Sequence, residues 1–151
     1  MRNDLLVTDH HHPDFAALIA LLDADLSERN GVLQALYAPH NKTDALEAVV
    51  LLYRDGLAVA CGAFKALSAE TAEVKRVFVR KAYRGQGLSK VLMEALERQI
   101  RSGGYRRAVL ETGVKQVEAI HLYQRMGYGP TANYGPYVGN PNSVCMEKTL
   151  L

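Results

Sequence analysis

Two glycines one residue apart stand in the stretch YRGQGLSKVL, residues 83–92, between an arginine and a run with helical spacing. Glycine reaches positive φ angles and lets a ligand approach the backbone closely. The N–H groups of such a loop, followed by the positive end of a helix, can therefore bind a phosphate. The same glycines can instead form a plain turn that caps the helix. From these residues alone the two interpretations are equally supported.

Two familiar nucleotide-binding motifs are excluded at this loop. A Walker A loop requires Gly-Lys-Ser/Thr at its end, whereas Gly87 is followed by Leu88, Ser89 and Lys90. A dinucleotide-binding fingerprint requires a third glycine at the position of Lys90. The preceding residues 75–84 contain five basic and no acidic side chains. Such a run is usually a solvated face, but next to this loop it favours an anionic ligand.

The other reactive side chains do not predict a metal site. Consecutive histidines at positions 10–12 cannot all face one ion, and no cysteine or acid stands at ligand spacing. Cys61 and Cys145 lie far apart in the sequence. We interpret both as small buried residues, with a disulfide as the less favoured alternative.

Length and composition predict one globular domain over residues 1–151. Hydrophobic residues make up 48% of the chain and charged residues 23%, ordinary values for such a domain. A net charge of +2 is too small to indicate a nucleic-acid surface. The N-terminal segment lacks an apolar signal region, and no run reaches membrane-spanning length. We therefore expect a cytoplasmic protein with no nucleic-acid or membrane partner.

The spacing of apolar residues predicts the elements that must position the glycine loop. Alternating or continuous apolar runs predict strands, and the Asp55-Gly56 pair between two such runs predicts a hairpin. Runs with a period near 3.6 predict helices. The predicted strands cover 5–8, 48–53, 57–67, 72–79, 106–112 and 143–150, and the predicted helices cover 14–29, 32–40, 88–101 and 116–126. This order predicts an α+β domain around a mixed sheet.

Two segments resemble motifs of the GNAT acetyltransferase superfamily. The segment VFVRKAYRGQGLSKVL resembles its acyl-CoA-binding motif, Arg/Gln-x-x-Gly-x-Gly/Ala, with Ser89 at the last position. The segment LETGVKQVEAIHLYQRMGY resembles its second motif, with Gln116 where asparagine is usual. Five residues match this second motif: Ala119, Leu122, Tyr123, Gly127 and Tyr128. The resemblance covers residues 45–150.

The resemblance implies a fold and a cofactor. It implies a mixed, mostly antiparallel sheet of about seven strands flanked by about four helices, with strands 4 and 5 parallel and splayed. It implies acetyl-CoA as cofactor, with the pantetheine arm along the main chain of Val77 and Val79 and an oxyanion donor near Phe78 or Val79. The implied pyrophosphate ligands are the N–H groups of Arg84, Gly85, Gln86, Gly87, Leu88 and Ser89. Gln116 joins the cofactor site, and Lys90, with Lys81 and Arg125 as alternatives, is a candidate for the ribose phosphate.

The resemblance also implies an acetyl transfer from the thioester to an amine. Such a transfer needs a base for the amine and an acid for the leaving sulfur. Tyr123 matches the acid, and its alternative role is that of a core tyrosine. Glu73 is our candidate base, because alternation predicts it on one face with Lys75, Val77 and Val79. A carboxylate paired with Lys75 or Arg76 is the equal alternative, and His121 is the weaker candidate.

The acceptor is expected to be a small primary amine, such as an amino acid. In this fold the first helices and the loop between the last two strands usually hold it, here residues 23–37 and 131–143. Their acids and tyrosines suit a cationic amine. A protein N-terminus or lysine as acceptor, a non-catalytic acyl-CoA-binding domain and a homodimer are alternatives that the sequence leaves open.

Overall fold

The computed structural model describes residues 2–30 and 46–150. Seven strands and three α-helices are described there. In chain order they are β1 (Asn3–Thr8), α1 (Pro13–Asn30), β2 (Ala48–Arg54), β3 (Leu57–Ala66), β4 (Thr71–Val79), α2 (Leu88–Ser102), β5 (Arg107–Gly113), α3 (Val117–Arg125), β6 (Gly129–Pro130) and β7 (Ser143–Thr149). Single turns of 3₁₀-helix cover Lys81–Tyr83 and Gly135–Tyr137. The helix predicted over 32–40 lies outside the described residues.

The strands form one mixed sheet in the order β1-β2-β3-β4-β5-β7-β6. Every neighbouring pair is antiparallel except β4 and β5, which are parallel. The predicted seven-stranded sheet with parallel fourth and fifth strands is thereby confirmed. The predicted hairpin is confirmed as well, since Asp55 (φ 50°) and Gly56 (φ 85°) both take the positive φ angles of a tight two-residue turn between β2 and β3.

A hydrophobic core lies on each face of this sheet. Helix α2 packs Leu92 and Leu96 against one face, where both side chains are fully buried. Helix α1 packs Phe15 and Leu18 against the opposite face. Each large apolar side chain removed from water in this way stabilises the fold by about 2 kcal/mol. The two helices thereby hold the sheet between them, with the glycine loop at the start of α2.

A β-bulge at Arg76 divides β4 into two parts whose faces are exchanged. Phe78 pairs with Cys61, but Lys75 pairs with Ala63, so that two residues of β4 stand opposite one of β3. Arg76 takes a φ of 61°, which is uncommon for a residue with a side chain. The predicted common face of Glu73, Lys75, Val77 and Val79 is therefore wrong. Before the bulge Lys75 faces α1 with Ala63, whereas beyond it Val79 belongs to the core under α2.

Strands β4 and β5 separate soon after they meet. Only Thr71, Ala72 and Glu73 pair with β5, at Arg107, Ala108 and Val109. Both strands continue for several residues beyond this point, β4 to Val79 and β5 to Gly113. The predicted splaying of the two parallel strands is confirmed, and the space between them opens toward the glycine loop and α3.

Candidate active site

The glycine loop leaves backbone donors open to a ligand. Gly85 (φ 78°) and Gly87 (φ 77°) both take left-handed conformations, and a Cβ added at either would meet no atom within 4 Å. Within residues 2–30 and 46–150, the N–H groups of Gly85, Gln86 and Gly87 have no hydrogen-bond acceptor. Gly87 caps α2 without a side chain, so its first-turn N–H groups also lack a capping oxygen. This geometry favours the anion-binding interpretation of the loop over the plain capping turn.

The side chains of two arginines, one in the loop and one on β2, hold the loop in this conformation. The Arg84 Nε group donates a 2.9 Å hydrogen bond to the carbonyl of Val79, and its guanidinium lies 5.5 Å from the centre of the Phe78 ring. The buried Arg54 at the end of β2 donates to the Gln86 side-chain oxygen. Arg54 also donates a 3.0 Å bond to Asn3 of β1. The loop is therefore tied at both ends to the sheet.

A cleft of about 130 Å³ occupies the space where β4 and β5 separate. Its two strand walls are Val74–Val77 and Leu110–Gly113, and Leu22 and Leu26 of α1 close one side. Gln116 and Tyr123 complete the lining from the α3 side. A narrow cleft with two separated strands as walls and a glycine loop near its end can accommodate an extended ligand that carries a phosphate group.

The Tyr123 ring is buried, while its hydroxyl has no hydrogen-bond partner in the part of the chain that the structure describes. The residue is 8% exposed, and its ring packs edge-on against Tyr128 with centroids 5.9 Å apart. Among the described residues no hydrogen bond to this hydroxyl occurs, and the oxygen is not sealed from solvent. Burial raises the pKa of Tyr123 to about 12. The phenol therefore stays protonated at neutral pH and can serve as a proton donor in the cleft.

Gln116 joins the cleft just before α3 begins. Its side-chain oxygen accepts a 3.3 Å hydrogen bond from Thr112 Oγ1, and its N–H donates to the carbonyl of Gly113 at 2.9 Å. Both interactions fix the turn between β5 and α3. Gln116 thus replaces the expected asparagine in a position that still lines the cleft.

Glu73 contacts Tyr134 and Lys65, neither of which lines the cleft. It is 3% exposed, and one carboxylate oxygen accepts a 2.8 Å hydrogen bond from the Tyr134 hydroxyl. The other oxygen lies 3.9 Å from Lys65 Nζ. Burial, followed by the Glu73 charge, raises the pKa of Tyr134. Glu73 is not among the residues that line the cleft, although its charge acts on Lys75 and Glu111, which do line it.

Glu111 is the cleft carboxylate that the sequence analysis did not single out. It lies on β5, lines the cleft and accepts a 2.7 Å hydrogen bond from Ser143 Oγ. Burial raises the pKa of its carboxyl group, although the Ser143 bond and Lys75 oppose the shift. Burial likewise lowers the pKa of Lys75, which lines the same cleft. The sequence feature that could have identified Glu111 is its position directly after the apolar residues Ala108, Val109 and Leu110 of a predicted buried strand.

Apart from Val77, the remaining predicted residues lie around the cleft rather than in it. Phe78 packs in the core under α1, and Val79 packs in the core under α2, whereas Val77 does line the cleft. Leu88 is buried and fixes the start of α2, Ser89 is half-buried, and Lys90 is exposed. Four further candidates or motif residues are exposed or half-buried: Lys81, Arg125, His121 and Ala119.

Other features of the described residues bear on the class of site. Cys61 and Cys145 are free and buried, which agrees with their predicted role and not with a disulfide. Over residues 2–30 and 46–150 there is no group of three side chains suited to hold a metal ion. In the same residues no helix is both long and apolar enough to cross a lipid bilayer.

Comparisons with known proteins agree with this geometry. The family model described as Acetyltransferase (GNAT) family matches residues 13–128. The IAA acetyltransferase of Azospirillum brasilense is 40% identical over 99 residues, and the match covers 64% of each chain. The chain therefore spans just under two thirds of the length of that curated relative.

Solved structures match over nearly the whole chain. A candidate acyl-CoA N-acyltransferase from Klebsiella pneumoniae is 33% identical, with a TM-score of 0.82 and coverage of 99% of this chain and 98% of that one. A GNAT family acetyltransferase from Elizabethkingia anophelis with acetyl-CoA bound has a TM-score of 0.71 at 17% identity, and the match covers 98% of both chains. The second likeness concerns the fold alone.

Proposed function

Because the chain belongs to the GNAT acetyltransferase family, we propose that it is an acetyl-CoA-dependent N-acetyltransferase acting on a small primary amine. The observation that carries this proposal is the cleft between β4 and β5, which is lined by Tyr123, whose hydroxyl has no hydrogen-bond partner among the described residues, and by Leu22 and Leu26 of α1. A cleft lined by the carboxylate of Glu111 beside the apolar side chains of Leu22 and Leu26 supports a small cationic amine as acceptor.

The residues of the loop and cleft fit coenzyme A. The free N–H groups of Gly85, Gln86 and Gly87 would bind its pyrophosphate, with the positive end of α2 adding to the attraction. Leu88 and Ser89 would contribute the first helical N–H groups, and the side chains of Lys90 and Gln116 remain candidates for further contacts. Acetyl-CoA supplies the activated acetyl group of a thioester.

We assign the two proton transfers to residues of the cleft. Glu111 would accept a proton from the acceptor amine, since it faces the cleft and its raised pKa brings it closer to neutral pH. The Tyr123 hydroxyl would donate its proton to the departing sulfur. Glu73, which accepts a hydrogen bond from the Tyr134 hydroxyl, stays an alternative base. An N–H group of Phe78 or Val79 as oxyanion donor stays a prediction.

The test is thiol release from acetyl-CoA in the presence of amines, amino acids, polyamines and short peptides, with CoA binding measured separately by calorimetry. We expect turnover with at least one small amine and saturable CoA binding. Binding of CoA without turnover of any acceptor would contradict the enzymatic role and favour a non-catalytic acyl-CoA-binding domain. Turnover restricted to peptides would contradict the small-molecule acceptor.

A further inference from the structure

Arg76 carries a buried guanidinium that is only partly hydrogen-bonded. The side chain is 3% exposed, and its Nη2 donates a 2.9 Å bond to one oxygen of Asp23 on α1. Its Nε and Nη1 are buried and have no hydrogen-bond partner among the residues that the structure describes. The residue lines the cleft between β4 and β5. A permanent cation in this position therefore keeps two of its three nitrogens unused.

Two features of this residue are unfavourable for the free protein. A buried donor without a partner loses its hydration and gains nothing in return. The φ of 61° is a second cost, because left-handed backbone is strained for a residue with a Cβ. Strained residues cluster at active sites and ligand clamps, and an unsatisfied buried donor calls for an explanation, so the two features together favour a binding role for Arg76.

The shape of the missing partner follows from the geometry of arginine. A carboxylate binds a guanidinium through two parallel N–H bonds, from Nη2 together with either Nε or Nη1. Asp23 accepts only one hydrogen bond, from Nη2, through one of its oxygens. The second bond of the pair, from Nε or Nη1, is therefore not made. The Asp23 side chain is 49% exposed and can turn into solvent at little cost. Because Nε and Nη1 are sealed from solvent in this structure, an incoming carboxylate would first displace Asp23 from Nη2 and then pair with Nη2 and one of the unused donors.

We propose that the acceptor carries a carboxylate that binds Arg76 in place of Asp23, which makes it an amino-acid-like amine. This inference rests on the proposed acetyl transfer and names its substrate class. In the same cleft, Glu111 can bind the amino group of the acceptor. The apolar side chains of Leu22 and Leu26 can pack against an aliphatic or aromatic side chain of the acceptor. A zwitterion with an apolar side chain matches all three features.

The test compares acceptors that differ only in the carboxylate. Leucine is paired with 3-methylbutylamine and phenylalanine with 2-phenylethylamine, and kcat/KM is measured by thiol release at saturating acetyl-CoA. We expect at least one amino acid to exceed its amine by about tenfold or more. Amines that equal or exceed their amino acids in both pairs, or no turnover in either pair, would overturn the inference. Acetylation of other amines by the same preparation would leave the proposed function standing.

Two variants should change amino-acid binding in opposite directions, which distinguishes a loss of carboxylate recognition from a loss of folding. Arg76→Gln should reduce the preference for the amino acid to about threefold or less and leave the KM for acetyl-CoA unchanged. Asp23→Ala should lower the KM for the amino acid by about threefold, because the competing carboxylate is gone, and leave the KM for the amine unchanged. If Arg76→Gln does not fold, Asp23→Ala decides. An unchanged or raised KM for the amino acid in Asp23→Ala refutes the displacement.

Discussion

Replacing Tyr123 by phenylalanine should slow catalysis while leaving the free energy of unfolding nearly unchanged. The lost hydroxyl has no hydrogen-bond partner among the residues that the structure describes, and the ring keeps its packing against Tyr128. We therefore expect the free energy of unfolding to change by less than about 0.5 kcal/mol. Loss of the proton donor should lower kcat by at least about tenfold, equivalent to about 1.4 kcal/mol in the activation barrier.

The neighbouring tyrosine provides the matched control. The Tyr128 hydroxyl donates a 3.1 Å bond to Glu97, and both residues are buried. Replacing Tyr128 by phenylalanine leaves a carboxylate oxygen of Glu97 without this donor, although Lys148 still binds the other oxygen at 2.8 Å. We expect this variant to lose about 1–3 kcal/mol of unfolding free energy and to retain most of its kcat. Tyr123→Phe should therefore lower kcat and keep stability, whereas Tyr128→Phe should lower stability and keep kcat.

Urea unfolding followed by circular dichroism gives the stabilities, and thiol release at saturating acetyl-CoA gives kcat. Because the pKa of Tyr123 is raised to about 12, its hydroxyl is protonated throughout the range from about pH 6 to 9. The deficit of the Tyr123→Phe protein should consequently be constant over that range. Wild-type kcat in Tyr123→Phe, or a stability loss as large as that of Tyr128→Phe, would refute this reasoning.

Three further predictions concern the loop and the carboxylates. Gly87→Ala should lose about 1 kcal/mol of stability, because alanine is strained at the positive φ of Gly87. The same variant should bind CoA at least about tenfold more weakly by calorimetry. The control is Gly129→Ala, which should change neither quantity, because Gly129 has an ordinary φ and a Cβ there would also meet no atom within 4 Å. Arg54→Ala should weaken CoA binding by about threefold or more and spare kcat, because Gln86 loses its anchor; an unchanged dissociation constant would contradict the anchor. The pKa of Glu111 is raised from 4.5, so activity should rise with pH as its carboxylate forms, and a pH–rate profile of Glu111→Gln should lack this acid limb. If the acid limb of the pH–rate profile is lost in Glu73→Gln and kept in Glu111→Gln, Glu73 is the base.

Local sequence patterns predicted most of the fold because each depends on neighbouring residues. The spacing of apolar side chains predicted α2 and α3, and the Asp55-Gly56 pair predicted the hairpin between β2 and β3. The glycine loop was predictable as a ligand site from its residue types, while the resemblance supplied the splayed strands and the candidate role of Tyr123. Tyr123 indeed lines the cleft.

The rest of the site depends on contacts between residues distant in sequence or on one unusual backbone angle. Alternation assigned Glu73 to the face of Val79, but the left-handed Arg76 exchanges the faces between them. The surroundings of Glu73 depend on Tyr134, which lies 61 positions away along the chain. The orientation of Gln86 in the glycine loop similarly depends on Arg54, at a separation of 32 positions. Neither separation leaves a periodic signal in the sequence.

The short parallel pairing of β4 and β5 has a consequence for the kinetics of unfolding. It joins a block of four consecutive strands, β1–β4, to a block formed by β5, β6 and β7, through three residue pairs. Each block is internally antiparallel and extensively paired, so we expect the boundary between them to rupture early when the protein unfolds. Coenzyme A bound across this boundary would have to dissociate before the blocks part. Its main effect on the lifetime of the folded protein would then be a slower unfolding rate in concentrated urea.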